Sequence, residues 1–300
     1  ASDVYKRQAS TMQIMTEALG LMLPGTALMP ATCKDLKEQA YKAGKQIIKL
    51  AKMDLTARDI VTMKSFENAI MVHAAISGST NSLLHLPAIA SEFGIDLNAD
   101  LFDQMHQNAH YLLDIRPAGK YPAEYFYYAG GVPAVMEAIK ENLNLDVMTV
   151  TGKTLGENLE ELKNNGYYEN CQTFLDKINL KSTDIIRPYD DPIGKDGTIA
   201  ILKGNLAPDG AVIKHSACPQ EMMQAVLRAR PFDSEEAAID AIIKKQIKPG
   251  DAVFIRYEGP KGSGMPEMFY TGEAISSDQE LAKSIAPVSY THLTLPTIRL

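Results

Sequence analysis

The first third of the chain carries apolar residues at helical spacing. From residue 34 to residue 53 they recur every three or four positions, which predicts an amphipathic helix. Ser65 is placed to cap a second helix over residues 66–75, and the near absence of a polar face predicts that this helix is buried. Residues 83–93 predict a third helix, which Gly94 ends.

The middle of the chain continues the helical pattern before strands take over. Pro133 occupies a favoured first-turn position and predicts the start of another helix. Residues 146–150 are typical of a short strand, and residues 152–154 of a turn that caps the next helix. The periodicity is interrupted by prolines, a glycine and aspartates between Cys171 and Asp196, which predicts a domain boundary.

The last third is expected to be rich in strands. Apolar runs at residues 198–202 and 211–213 flank the turn-forming residues 207–210, a pattern that predicts a hairpin. Ser234 is placed to cap a helix that runs to about residue 246, and residues 251–257 predict a further strand. The chain is therefore expected to contain both helices and strands.

Composition narrows the possible functions. The 300 residues, 45% of them hydrophobic, are enough to bury one large core or two ordinary ones. A net charge of −7 argues against nucleic-acid binding, which requires clustered Lys and Arg. The apolar stretch at residues 69–76 is far shorter than the roughly 20 residues that span a bilayer. Three irregularly spaced cysteines argue against a disulfide framework and favour a reducing, cytoplasmic setting.

The segment at residues 256–268 is the first candidate site. It follows the strand predicted at residues 251–257 and concentrates glycine, proline and charge, so its backbone can approach a ligand closely. Glu267 and Glu258 are equally able to offer a carboxylate to a hard cation such as Mg²⁺, and spacing does not separate them. The alternative interpretation is an ordinary surface turn.

The turn at residues 77–81 is the second candidate. Ser79, Thr80 and Asn81 precede an apolar helix, where free amide groups and the helix dipole favour an anion such as a carboxylate or phosphate. The competing interpretation is that these side chains only cap the helix. His73 and His85 lie in apolar helical stretches and are interpreted as core histidines, without a metal role. The three cysteines are too scattered for a local iron–sulfur or zinc site and are interpreted as buried, inert thiols.

Six ordered motifs together resemble one known family. They are HAAISGSTN at residues 73–81 with 84–86, RPAGKY at 116–121, AGGVP at 129–133, TVTGKTL at 149–155, KGNLAPDG at 203–210 and RYEGPKGSGMPEM at 256–268. In this order they resemble the dihydroxy-acid and 6-phosphogluconate dehydratases, over roughly residues 9–286. The resemblance implies an α/β/α N-terminal domain at residues 9–180, a partial swivelling β-barrel domain at residues 181–286, and a homodimer or higher oligomer.

The same resemblance implies a reaction and its cofactors. Members of the family are hydro-lyases that remove water from a 2,3-dihydroxy carboxylate to give a 2-keto acid, with an iron–sulfur cluster, Mg²⁺ and a serine base. The residue that matches the family's magnesium-binding glutamate is Glu267. The segment at residues 261–265 is one residue shorter than the commonest family form. A branched-chain substrate of the 2,3-dihydroxyisovalerate type is expected, and a sugar acid of the gluconate, xylonate or phosphogluconate type is the alternative.

The ends of the chain depart from the family pattern. Residues 3–8 and 287–295 look like translated sequencing-adapter sequence, so residues 1–8 and 287–300 are expected to be a non-native leader and tail. The cluster cysteines, two further magnesium ligands and the serine base match no residue here, and Cys33 does not match a ligand position. We therefore expect the chain as given to be a catalytically inactive fragment of an active parent enzyme.

Overall fold

The computed structural model describes residues 7–116, 118–258 and 269–289. The chain divides into two compact units, Ala1–Ala200 and Ile201–Leu300. The domain limits expected from the sequence, at residues 180 and 286, stay a prediction. Within the described ranges, no helix combines the length and the apolar composition needed to cross a bilayer.

Helices form nearly all the regular structure described in the first unit. They are α1 (Arg7–Ala18), α2 (Leu36–Met53), α3 (Ala57–Ile60), α4 (Met63–Ala75), α5 (Ser82–Glu92), α6 (Ala99–Gln107), α7 (Ala123–Tyr128), α8 (Gly131–Ala138), α9 (Leu155–Asn164), α10 (Tyr167–Asp176) and α11 (Ser182–Ile185), with a 3₁₀ turn at Lys140–Asn142. Isolated β-bridges, such as the one between Leu113 and Ile186, join the connecting segments.

Helix α4 lies at the centre of the first unit. Ten of its thirteen residues are buried, and it packs against α1, α6 and α8, so the burial predicted from its apolar sequence is confirmed. The cap predicted at Ser65 is wrong. The helix begins three residues earlier, where the Thr62 hydroxyl accepts from the Ser65 amide and the Ser65 hydroxyl accepts from the Thr62 amide at 2.7 Å. This reciprocal capping box satisfies two backbone donors, which explains the earlier start.

Helix α2 is confirmed in position but is poorly covered. Its bounds differ from the prediction by two residues, yet Leu50 is its one buried residue. Ile47 and Ile48 are 60% and 58% exposed. Helix α5 is confirmed as well, and Gly94 follows it with a φ of 73°. The amphipathic pattern therefore located both helices but did not determine how well each is covered.

One local prediction in this unit is confirmed within two residues and another is wrong. Helix α8 begins at Gly131, after Gly130 with a φ of 102°, so Pro133 lies in its first turn as predicted, two residues after its start. The strand predicted at residues 146–150 is a turn with a single bridge from Met148 to Thr154. The Val150 amide there donates to the Gly20 carbonyl and is not part of a sheet. The predicted cap of α9 is confirmed, because the Thr154 hydroxyl accepts from the amide three residues on.

A β-hairpin follows α11 along the chain. It pairs β1 (Ile199–Gly204) with β2 (Ala207–Lys214), and residues 205–206 connect them. The predicted hairpin is confirmed, but the position predicted for its turn is wrong. Residues 207–210, which were expected to form the turn, lie in β2. The connection Asn205-Leu206 allows pairing to start earlier, and asparagine tolerates the backbone of tight hairpin turns.

The second unit contains a parallel sheet. Strands β3 (Arg228–Phe232), β4 (Asp251–Ile255) and β5 (Ala286–Ser289) lie in that order and pair in parallel. Helix α12 (Glu235–Ile243) connects β3 to β4, and α13 (Phe269–Ser276) and α14 (Gln279–Ala282) lie between β4 and β5. The cap predicted at Ser234 is confirmed, since its hydroxyl accepts from the Ala237 amide at 3.2 Å. Strand β5 includes three residues of the expected tail.

The core of the second unit lies between this sheet and its helices. Its buried members are apolar residues of α12, β4, α13, α14 and the adjoining segments: Ala238, Ala241, Ile242, Ile247, Val253, Ile255, Ile275, Leu281 and Ile285. The described strands form the hairpin and the three-stranded sheet and do not close a barrel. The α/β class predicted from the sequence is confirmed at this level of mixed helices and strands.

An acidic side chain links β3 to β4. Asp251 is fully buried, and its Oδ1 accepts from Nε of Arg228 at 2.8 Å while its Oδ2 accepts from the Lys248 amide at 2.9 Å. Arg230 lies 3.5 Å from the same carboxylate. Burial acts to raise the pKa of Asp251, but these hydrogen bonds and positive charges outweigh it and lower the pKa. The ionised carboxylate therefore stabilises the start of the sheet.

Candidate functional site

The two sequence-predicted sites differ in how much of them the structure describes. Residues 259–268, and with them the expected magnesium ligand Glu267, lie outside the described residues. The turn at Ser79, Thr80 and Asn81 is fully described and lies in the first unit between α4 and α5.

Hydrogen bonds attach both ends of the glycine-rich segment to the start of α12. Before it, Nε of Arg256 donates to Oδ1 of Asp233 at 2.8 Å, and Oε1 of Glu258 accepts from the Glu235 amide at 3.1 Å. After it, the buried Thr271 donates to Oε1 of Glu235 from its amide at 3.1 Å and from its hydroxyl at 3.0 Å. Glu258 therefore serves as a helix-capping carboxylate.

The turn after α4 is held on both sides of Ser79. Its amide donates to the hydroxyl of Thr11 in α1 at 3.3 Å, and its own hydroxyl accepts from the Asn81 amide at 3.3 Å. Its carbonyl accepts from the Ser82 amide at 3.2 Å, which starts α5. Ser77 adopts a φ of 52°, so the chain reverses in the left-handed region that non-glycine residues adopt rarely. No described side chain caps α5 at its N-cap residue, Asn81, so the competing interpretation that these side chains only cap the helix is wrong.

The surface of this turn still offers groups to a ligand. Ser79, Thr80 and Asn81 are each partly exposed. Among the described residues, the Thr80 amide makes no hydrogen bond, whereas those of Gly78, Ser79 and Asn81 donate within the protein. The turn therefore presents one free amide and three polar side chains at the N-terminus of an eleven-residue helix.

Two fully buried histidines lie directly behind the turn. Nδ1 of His73 lies 3.0 Å from Nε2 of His106 in α6, and Nε2 of His73 lies 2.9 Å from the Ser79 carbonyl oxygen. The two rings meet edge to face. The sequence-based interpretation of His73 as a core histidine is confirmed. Its pairing with His106 was missed, because residues 33 apart meet only after α4 and α6 pack.

Glycines enclose both rings. A Cβ atom at Gly78 would overlap the ring of His73, and one at Gly197 would overlap the ring of His106. The Gly197 amide donates to the His106 carbonyl at 2.6 Å, which brings its backbone against this ring. Side chains larger than hydrogen are excluded at both positions by the buried imidazoles.

A buried glutamate in α1 was also missed. Glu17 is 6% exposed, and its two carboxyl oxygens accept from the amides of Gly25 at 2.7 Å and Ala27 at 2.9 Å. Burial raises the pKa of Glu17 to about 7, although the amide hydrogen bonds oppose the shift. The signal available in the sequence was an acidic residue in an apolar helix followed by a Pro-Gly turn.

The cysteines offer no metal site within the described residues. Cys33, Cys171 and Cys218 are partly buried, so the expected full burial is wrong for each. Burial raises the pKa of the Cys171 thiol, which disfavours its thiolate form. Across the described ranges, no three His, Cys, Asp or Glu side chains converge on a point where a metal ion would bind.

An apolar cavity of about 370 Å³ opens beside α2. Its wall is formed by the apolar face of this helix, with Leu36, Ala40 and Ile47, and by the segment around Met22 and Met29. It contains few polar groups and no convergent set of titratable side chains, so it offers no chemistry of its own.

Comparisons with known proteins agree with these sequence motifs. A family model described as dihydroxy-acid/6-phosphogluconate dehydratase N-terminal matches residues 7–158, and the corresponding C-terminal model matches residues 184–292. The chain belongs to the dihydroxy-acid/6-phosphogluconate dehydratase family. The resemblance found in the six motifs is thereby confirmed.

Curated relatives are named dihydroxy-acid dehydratase. The protein from Methanococcoides burtonii is 46% identical over 270 residues, which are 89% of this chain and 46% of the relative. The protein from Caldicellulosiruptor bescii is 43% identical over 271 residues, again 89% and 46% of the two chains. One from Methanosarcina acetivorans is 45% identical over 283 residues, 94% and 49% of the two chains. The chain spans about half the length of the curated relatives it matches.

Proposed function

We propose that this protein is a hydro-lyase that removes water from a 2,3-dihydroxy carboxylate of the 2,3-dihydroxyisovalerate type to give a 2-keto acid. The observation that carries the proposal is the pair of family matches, which together extend over both units. The relatives' printed name, dihydroxy-acid dehydratase, supports a dihydroxy acid as the substrate class. A sugar-acid dehydratase is the second candidate, because the family description includes 6-phosphogluconate dehydratases.

The metal requirements of this reaction are not met by the described residues. No three potential ligands converge there, so neither an iron–sulfur cluster nor a magnesium ion is held by those residues alone, and we derive no step through either. We propose Glu267 as the residue that contributes to a Mg²⁺ site. The match of Glu267 to the family's magnesium-binding glutamate supports this assignment. The described residues on either side of it in the sequence, Glu258 and Thr271, both hydrogen-bond to Glu235 at the start of α12.

The turn after α4 is the proposed contact for the substrate carboxylate. Ser79, Thr80 and Asn81 offer hydroxyl, amide and backbone donors at a helix N-terminus, where the dipole attracts an anion. The amide of Thr80 and the partial exposure of the three side chains support this role.

A homo-oligomer in the cytoplasm, with no nucleic-acid or membrane partner, is proposed from the family and from the net charge of −7.

A chimera separates the two candidate substrates. Residues 9–286 replace the matching segment of the Methanococcoides burtonii protein, and keto-acid formation is measured anaerobically after reconstitution with iron, sulfide and Mg²⁺. We expect faster turnover of 2,3-dihydroxyisovalerate than of gluconate. Faster turnover of gluconate would replace the first candidate by the second. In the same chimera, Glu267→Gln is expected to remove Mg²⁺-dependent activity, whereas Glu258→Gln changes it little.

The chain as given is proposed to be inactive. This second proposal concerns the 300-residue polypeptide and is supported by the lack of converging metal ligands in its described ranges. Reconstituting the chain by itself is expected to yield neither cluster absorbance nor keto acid. Turnover by the chain alone would overturn this proposal without affecting the substrate assignment.

A further inference from the structure

We infer that His106 and His73 are positioning residues, which form a hydrogen-bond chain of one fixed direction that holds the turn at Ser79. The chain runs from the Ile199 amide through both imidazoles to the Ser79 carbonyl. It therefore connects the start of β1 to the turn after α4. Its functional meaning rests on the proposed binding of a carboxylate at that turn.

The groups at the two ends of this hydrogen-bond chain determine the direction in which its members donate. At one end, the Ile199 amide lies 3.4 Å from Nδ1 of His106, and an amide N–H only donates. At the other end, Nε2 of His73 lies 2.9 Å from the Ser79 carbonyl oxygen, which only accepts. The opposite direction would place two donors face to face at Ile199 and two acceptors face to face at Ser79.

These end groups assign the proton on each ring. His106 accepts at Nδ1, so its proton is on Nε2 and is donated across 3.0 Å to Nδ1 of His73. His73 then carries its own proton on Nε2, which is donated to Ser79. Both imidazoles are neutral Nε2–H tautomers. Adding a proton at either Nδ1 would set two N–H groups against each other in a fully buried site.

The hydrogen-bond chain acts on the turn through the Ser79 carbonyl. The Ser79 carbonyl accepts from His73 and also from the Ser82 amide at 3.2 Å, so the His73 hydrogen bond and the first hydrogen bond of α5 converge on one atom. The absence of a side chain at Gly78 and Gly197 leaves room for the two rings in this arrangement, because a Cβ atom at either position would overlap a ring. The orientation of the Thr80 amide thus depends on the two histidines, which do not themselves reach the ligand.

The tautomers are measured directly in the 300-residue chain. With ¹⁵N-labelled histidine, long-range ¹H–¹⁵N correlation at pH 7.5 distinguishes the Nε2–H tautomer, the Nδ1–H tautomer and the imidazolium. His73→Gln and His106→Gln identify the two sets of signals by their disappearance. We expect the Nε2–H tautomer for both rings. An Nδ1–H tautomer or an imidazolium at either ring would overturn the proposal, and this readout does not require enzymatic activity.

Hydrogen exchange tests the positioning role. His73→Leu removes the bond to Ser79, and we expect exchange of the Ser82 amide to accelerate about tenfold, which corresponds to about 1.4 kcal/mol. His106→Gln retains one donor and one acceptor and should restore most of the protection that His106→Leu loses. His110→Leu is the matched control, because the His110 ring bonds to the Tyr189 carbonyl and takes no part in the hydrogen bonds that run from Ile199 to Ser79. Equal exchange in His73→Leu and the control would overturn the positioning role.

Ligand titration separates this inference from the proposed function. 2,3-Dihydroxyisovalerate is added while the amide shifts of residues 79–81 are followed in the wild-type chain and in His73→Leu. We expect weaker binding in the variant, by about tenfold. If both rings show the expected tautomers but the wild-type amides do not respond to the ligand, the carboxylate contact fails and the positioning of the turn stands.

Discussion

Glu17 gives the sharpest prediction about stability. It is a buried acid in α1, and both of its oxygens accept amide hydrogen bonds from the turn at Gly25 and Ala27. The perturbation is Glu17→Gln, which preserves the size of the side chain and removes its titration. The glutamine NH₂ group cannot accept, so one of the two amide donors loses its partner. An unpaired buried donor costs about 1–3 kcal/mol at every pH.

The pH dependence follows from the raised pKa. Burial raises the pKa of Glu17 from 4.5 to about 7, so the folded state retains its proton where the unfolded state has released it. The stabilisation is complete below about pH 4.5 and is lost as pH rises to about 7. The shift corresponds to about 3 kcal/mol. The variant is therefore expected to be less stable than the wild type at pH 5 and to recover this difference by pH 8.

Urea unfolding measures both effects. The free energy of unfolding is determined at intervals from pH 5 to pH 8 for the wild type and Glu17→Gln. Glu38→Gln is the control, because this exposed side chain pairs with Lys42, which lowers its pKa below the range tested. Its curve should run parallel to that of the wild type. A constant difference between Glu17→Gln and the wild type across this range would refute the assignment of a raised pKa to Glu17.

Further variants test contacts within each unit. Gly197→Ala should lose about 1–3 kcal/mol of unfolding free energy because its Cβ overlaps a buried ring, whereas Gly44→Ala, with open space around it, should gain about 0.5–1 kcal/mol. Equal effects in thermal unfolding would contradict this difference. Asp251→Asn should lower the free energy of unfolding by about 2 kcal/mol at pH 7, because it removes the charge that pairs with Arg228 and Arg230. Because the pKa of Asp251 is lowered from 3.8, its stabilisation should decline as pH falls below 3.8 and be lost below the folded-state pKa, so the difference between variant and wild type should narrow over that range. The double variant Ile47→Glu with Ile48→Glu should reduce fluorescence of an apolar dye with little change in unfolding, and unchanged fluorescence would place the dye elsewhere.

The proposed roles of the two glutamates show where local sequence information ends. Glu258 and Glu267 were equivalent by spacing, and only the family resemblance favoured Glu267. The structure gives Glu258 a definite task, since it accepts from the Glu235 amide at the start of α12. This contact joins residues 23 apart, which no local pattern in the loop predicts.

Features decided by neighbouring residues were readable from the sequence. The helical periodicity of α2, the apolar run of α4 and the hydroxyl cap at Ser234 each depend on side chains within a few positions. The same holds for the strand-forming sequence of β4 and the hairpin that precedes it. Errors arose where two local signals competed, as when the capping box at Thr62 displaced the cap expected at Ser65.

The site itself was decided by tertiary structure. The sequence by itself indicated where the main helices form and predicted the polar turn at Ser79, because helical periodicity and turns depend on nearby residues. It did not determine that His73 and His106 would meet behind that turn, nor that Glu17 would be buried among amides. Those contacts exist only once α1, α4 and α6 pack together, because packing excludes water and brings distant polar groups within hydrogen-bond reach.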